Sequence, residues 1–118
     1  MKLPYESVLL RVFIGESDKA NGRPLHEVIV EEARKRGMAG ATVLRGFLGF
    51  GANSRIHTAK ILRLSEDLPM VIEIVDAEEK IEAFLPDLDQ LVAEGMVTLE
   101  KVRVIVYRHN SRVLSPES

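Results

Sequence analysis

Residues 69–75 read Pro69-Met70-Val71-Ile72-Glu73-Ile74-Val75 and are followed at once by Asp76. A β-branched run of this length is a strand, and Val71, Ile72, Ile74 and Val75 are expected to be largely buried. Asp76 is placed to cap a following helix, and Glu79 stands where a capping-box acid reaches back. The apolar stripe of that helix runs through Ile81, Phe84, Leu85, Leu88, Leu91 and Val92, and Gly95 ends it. Pro86 falls inside the stripe, where an interior proline costs about 3 kcal/mol, so a kink or break is expected there. The last strand is expected over Lys101-Val102-Arg103-Val104-Ile105-Val106-Tyr107.

The same order stands on the N-terminal side. Val8-Leu9-Leu10-Arg11-Val12-Phe13-Ile14 reads as a strand, buried through Val8, Leu10, Val12 and Ile14 with Arg11 on the other face. Residues 15–23 (GESDKANGR) are turn chemistry. Pro24 opens a helix, because its fixed φ and missing N–H suit the first turn. Leu25, Val28, Ile29 and Ala33 follow helical spacing, and Gly37 is a left-handed stop. Residues 41–48 (ATVLRGFL) read as a second strand.

Strand–helix–strand, twice over, is the ferredoxin-like plan: an α+β fold, βαββαβ, whose four-stranded antiparallel sheet carries two helices on one face. The other face has no helix in this chain. Leu9, Phe13, Ile72, Ile74 and Ile105 make the sheet apolar on both sides in places, which calls for a partner surface and points to a homo-oligomer. The chain, 1–118, reads as one domain with a core over 8–108, a mobile loop at about 52–67 and a polar tail over 110–118.

Composition narrows the function. The 118 residues carry 16 Lys+Arg against 18 Asp+Glu, a formal net charge of −2. A near-neutral, slightly acidic chain is not built for bulk phosphate attraction, so nucleic acid is not the expected partner. With no cysteine, disulfide scaffolds, Cys–zinc sites and thiol catalysis are excluded together. No apolar run reaches 18 residues and the N-terminus does not read as a secretory signal, so no membrane insertion is expected and the cytoplasm is the default location.

Arg45-Gly46-Phe47-Leu48-Gly49-Phe50-Gly51 is the first chemical signal. Its glycines let a backbone approach a ligand and turn N–H groups toward it, with Arg45 adding charge. The plainer reading is a strand-to-loop corner. It is neither a Walker loop nor a dinucleotide fingerprint. The second signal is Thr98-Leu99-Glu100-Lys101, read at the entry to the last strand, with Arg103 projecting from the same strand face as Lys101. Taken by itself, an ordinary solvated strand start is the favoured reading of this segment. His26, His57 and His109 show no metal-ligand spacing, so a metal-binding module needs folding or assembly to make its site. Asp87 and Asp89 read as a solvated helix face.

Phe47-Leu48-Gly49-Phe50 and Val12-Phe13-Ile14-Gly15 resemble the aromatic motifs of RNA-recognition domains, which share this strand order. Here the first motif falls on the second-strand pattern instead of the third, and Leu48 stands where a small residue belongs. An acylphosphatase-like enzyme of this fold needs Arg and Asn in a glycine-rich loop. Arg11 and Arg45 are present, but GESDKANGR lacks that loop's pattern. The related copper-tolerance trimers are a further alternative.

Four segments together resemble the PII-like signalling proteins, and their uncharacterised bacterial and archaeal branch in particular. Gly37-Met38-Ala39-Gly40-Ala41-Thr42-Val43 is similar to the PII segment leaving the first helix. Gly49-Phe50-Gly51 is similar to the base of the PII T-loop. Arg55-Ile56-His57-Thr58 resembles a segment recurring in the uncharacterised branch, and Leu68 to Val75 resembles the strand returning from the T-loop. The resemblance implies a non-enzymatic regulator, a homotrimer whose open sheets face a common core. It implies an adenine nucleotide (AMP, ADP or ATP) in clefts between subunits, and an unknown target protein engaged through the loop 52–67. The nucleotide-binding residues it implies are Thr42, Arg45, Gly46, Phe47, Gly49, Gly51 and Glu73. Lys101 is taken as the phosphate-contacting lysine, with Arg103 and Arg108 as loose substitutes for the C-terminal PII arginines. The PII Gly-Asp-Gly-Lys stretch is absent, which sets triphosphate binding apart from the rest of the resemblance.

Overall fold

A computed structural model describes residues 3–51 and 67–108. The elements are β1 (Glu6–Gly15), β2 (Lys19–Ala20), β3 (Arg23–Pro24), α1 (Leu25–Lys35), β4 (Thr42–Arg45), β5 (Pro69–Asp76), α2 (Glu78–Leu91) and β6 (Met96–Arg103). The described residues form a four-stranded sheet in the order β4-β5-β1-β6, each neighbouring pair antiparallel. With its two helices this is the ferredoxin-like α+β fold.

Register sorts the side chains by face. Leu10 lies opposite Ile74 on β5 and Leu99 on β6, and Val12 lies opposite Ile72 and Val97. Val8, Leu10, Val12, Ile14, Met70, Ile72 and Ile74 all point to the helix side and are buried there. They meet Leu25, Ile29 and Ala33 of α1 and Ile81, Phe84 and Leu88 of α2 in one apolar core. Ile72 and Ile74 therefore belong to this core and not to the open face. Val71 and Val75, expected to be buried, point the other way and are only half-buried.

The open face carries Leu9, Phe13, Leu44, Val71, Val75, Met96 and Val102 by the same register. Arg11 sits among them, its Nε 2.9 Å from Glu73 and its Nη1 3.1 Å from Glu100. The Glu73 hydrogen bond, ahead of the opposing desolvation, holds the Arg11 guanidinium above its ordinary range.

Helix ends follow from local chemistry. Gly37 has φ +69, and the bonds Gly37 N–H to Arg34 O and Met38 N–H to Ala33 O close α1 in a Schellman motif. Pro24 stands at the N-cap of α1, one residue before the helix. The turn region holds a small hairpin, β2–β3, around Asn21 and Gly22, both at positive φ as a two-residue loop requires. Arg23 on that hairpin lies 2.6 Å from Glu31 on α1, and its hydrogen bond lowers the Glu31 carboxyl below the ordinary value.

The bounds of two strands and the continuity of the second helix also depart from expectation. The last strand spans 96–103 instead of 101–107, because Val97 and Leu99 alternate in register with the core residues Val12 and Leu10. The second strand is only 42–45, since Gly46 turns away onto Pro69. Pro86 does not interrupt α2, which runs unbroken from 78 to 91. Phe84 and Leu88, both buried, anchor the helix on either side of the exposed proline, so burial outweighs the lost hydrogen bond.

The capping box at α2 is also replaced by something else. The N-cap is Ala77, and no side chain caps it. Asp76 is buried and accepts from two backbone N–H groups, Ala77 at 2.7 Å and Ala39 at 2.8 Å. It thereby ties the start of α2 to the segment entering β4. Asp76→Ala is expected to cost about 2 kcal/mol by leaving both part-buried donors without their acceptor. Urea denaturation checks this, and a change under about 0.5 kcal/mol, the size of an ordinary surface substitution, would contradict it.

Candidate functional site

Where β4 ends and β5 begins, residues 46–51, the outgoing arm, and 67–69, the returning arm, meet in a neck. Gly46 N–H donates to Pro69 O at 2.6 Å. A Cβ on Gly46 would stand 2.6 Å from Pro69 Cγ, and one on Gly49 would stand 3.0 Å away. Glycine at these positions thus lets the outgoing arm lie against the proline ring of the returning arm. Phe47, Leu48 and Phe50 are left exposed, Phe47 to 81%. Gly51 is the last described residue of the outgoing arm. Residues 52–66, including Arg55 to Thr58, lie outside the described residues, as does the tail from 109.

The turn after β1 grips both arms. Glu16 N–H donates to Leu68 O at 2.8 Å, and Ser17 N–H donates to the Asp67 carboxylate at 2.9 Å. On the outgoing side, Arg45 Nε lies 3.1 Å from a Glu16 carboxylate oxygen. Gly15 N–H donates to Asp18 at 2.9 Å and completes the turn.

Of the residues singled out by sequence, the neck gathers Arg45, Gly46, Phe47, Gly49 and Gly51. Thr42 and Glu73 face each other across β4 and β5 on the open face, where Glu73 is paired with Arg11. Lys101 and Arg103 stand elsewhere. They lie on β6, at the sheet edge opposite β4, and Lys101 is opposite Val8 at the end far from the neck. From Val8 to Gly15 is seven residues of strand, roughly 23 Å.

Lys101 is therefore not at the entry to the last strand. It is the sixth residue of β6, in a shallow groove over Val8, Ile81 and Leu99 and beside Glu78, Glu82 and Glu100. The entry itself is Glu94-Gly95-Met96. The sequence pattern placed it at Thr98-Leu99-Glu100-Lys101 instead, with Gly95 read only as a helix stop. Arg103 Nη1 lies 3.4 Å from the Tyr5 hydroxyl. Arg108 follows Tyr107, whose hydroxyl donates to Ala39 O at 3.1 Å, so that segment crosses the sheet end toward the β4 side.

Among the described residues no group of three His, Cys, Asp or Glu side chains is placed to hold a metal ion. His26 lies in the first turn of α1 with its Nδ1 buried and without a hydrogen-bond partner. His57 and His109 are outside the described residues. No described helix is long and apolar enough to cross a membrane.

Solved structures described as PII-like proteins superpose on this ferredoxin-like fold. TTHA0516 of Thermus thermophilus, a candidate PII-like signalling protein, matches with TM-score 0.58 and 20% identity over 88% of this chain and 93% of its own. CPII of Thiomonas intermedia, bound to ADP and bicarbonate, matches with TM-score 0.55 and 19% identity over 85% and 89%. At such identities the likeness is one of fold. The chain belongs to the DUF190 family (Uncharacterized ACR, COG1993), whose model matches residues 7–104. A UPF0166 protein of Aquifex aeolicus is 41% identical over 97 residues, covering 82% of this chain and 91% of the relative. One from Methanocaldococcus jannaschii is 36% identical over 97 residues, covering 81% and 89%.

Proposed function

We propose that this protein is a non-enzymatic, cytoplasmic regulator of the PII-like kind. It forms a homotrimer, binds an adenine nucleotide at the loop base in the clefts between subunits, and engages a target protein through the loop at 52–67. The observation that carries this reading is the neck. Its arms are closed on Pro69 by Gly46 and Gly49, braced by Glu16, Ser17 and Asp67, and edged by exposed Phe47, Leu48 and Phe50. A rigid base of this kind transmits ligand contacts to a loop, and a ligand that favours one loop state shifts its population. Arg45, Gly46, Phe47, Gly49 and Gly51 form the nucleotide side of the site, with Thr42 and Glu73 on the adjoining strand pair. The fold likeness to CPII, solved with ADP and with AMP, supports the ligand class. The apolar open face around Arg11 supports an assembly in which that face is covered.

Calorimetric titration of nucleotide-stripped protein with AMP, ADP, ATP and cyclic AMP, beside its mass by light scattering, tests this. The expected result is a trimer with one site per subunit and a dissociation constant on the order of 1–100 μM, or about −5 to −8 kcal/mol. Failure of every nucleotide to bind would overturn the reading.

A further inference from the structure

We propose that the effector carries a single phosphate, as a linear or cyclic nucleoside monophosphate, and that the neck end of the sheet disfavours nucleotide polyphosphates. This rests on the nucleotide reading above and narrows its ligand class.

The entry to β6 supplies no cation. β6 opens at Met96, and the residues leading into it are Val92-Ala93-Glu94-Gly95. Gly95 is pressed against the end of β1, where a Cβ would come within 2.5 Å of Phe13 O, so Glu94 lies at the same end of the sheet as the neck. Lys101 is five strand residues further on, roughly 17 Å away.

Acids dominate the charges around the neck. Among the described residues at that end, Glu16, Asp18, Asp67 and Glu94 stand against Arg45, Lys19 and Arg23, and Arg23 is already paired with Glu31 and Glu27 of α1. Arg45 is already paired with Glu16. A triphosphate brings about four negative charges, a monophosphate about two and a cyclic monophosphate about one. Each further charge is repelled by this surplus, at a cost that falls as salt screens it.

Backbone donors are limited as well. A polyphosphate cradle needs several inward N–H groups. Gly15, Glu16, Ser17 and Gly46 have already donated theirs, to Asp18, Leu68 O, Asp67 and Pro69 O. The exposed run from Phe47 to Phe50 remains, enough for one phosphate.

Affinities for AMP, cyclic AMP, ADP and ATP, measured in low salt without divalent cations, test the proposal. ATP is expected to bind about tenfold or more weakly than the better monophosphate, with the gap narrowing as salt rises. Glu94→Lys, an exposed change, is expected to close most of the gap by strengthening ATP. Lys101→Ala is expected to leave all four affinities unchanged. A variant with Arg55, Lys60 and Arg63 all changed to Ala is expected to keep the order, which separates the neck from the charges of the loop. ATP binding as tightly as AMP, loss of ATP affinity in Lys101→Ala, or loss of the order in the triple variant would each overturn the proposal. ATP bound most tightly would do so while leaving the nucleotide reading intact. Absence of all nucleotide binding would overturn both.

Discussion

Phe84→Ala is expected to lower the unfolding free energy by about 4 kcal/mol, the middle of the range for deleting a buried aromatic side chain. Phe84 has no exposed surface and sits in the core shared by both helices and the sheet. Its ring is also covered on one side by the Arg36 guanidinium, 5.8 Å from the centroid, and Arg36 in turn pairs with Asp87 at 2.6 Å. The truncation therefore removes transfer energy, leaves a cavity between α2 and the sheet, and takes away the surface on which Arg36 rests. Phe84 also anchors α2 on the N-terminal side of Pro86, so the unbroken helix depends on it. Against a typical domain stability of about 5–15 kcal/mol, a loss of this size leaves a marginal fold. Chemical denaturation of the purified variant measures it. A loss below about 1 kcal/mol would show that neither the core nor the helix needs this ring.

Gly95→Ala is the second large effect, expected to cost about 3 kcal/mol. Gly95 has φ +150, a backbone conformation that side-chain-bearing residues seldom adopt. Strain of this type is on the order of 1–3 kcal/mol, and the clash adds to it. A Cβ there would lie 2.5 Å from Phe13 O, 3.1 Å from Val92 Cγ1 and 3.2 Å from Ile14 Cγ2. The first contact is backbone in the central strand, which cannot swing aside. The damage is expected to concentrate in β6, whose entry Gly95 forms. Hydrogen exchange should show β6 amides losing protection before those of β5, and uniform loss across the sheet would contradict this account. By comparison Gly40 has open space where its Cβ would be, so Gly40→Ala serves as the matched control.

Much of this fold was legible from short-range patterns. Alternation in residues 8–14 and the helical spacing of Leu25, Ile29, Ala33, Ile81, Phe84 and Leu88 named core residues, because burial on one face imposes a period on the chain, whereas in 69–75 the apolar run left the buried face open and only Ile72 and Ile74 of the four residues expected there are core. Gly37 marked the end of α1 because positive φ selects glycine, but Gly95, expected to end α2, lies past its last residue Leu91 and its C-cap Val92, at the entry to β6. The glycine run from 46 to 51 was legible as a corner. Its purpose at Pro69 was not, since the proline lies far along the chain from these glycines.

What composition and periodicity determined by themselves was the order of elements, the apolar stripes and the excess of acid over base. These are properties of neighbours in sequence, and they constrain any fold the chain adopts. Only the tertiary structure decided the register of β6, the continuity of α2 through Pro86, the double hydrogen bond of Asp76 and the place of Lys101 at the sheet end away from the neck. Each of those depends on contacts between residues far apart in the chain. A strand's register is set by what its neighbour presents, a proline is tolerated when buried side chains hold both flanks, and a charge acts where the sheet carries it.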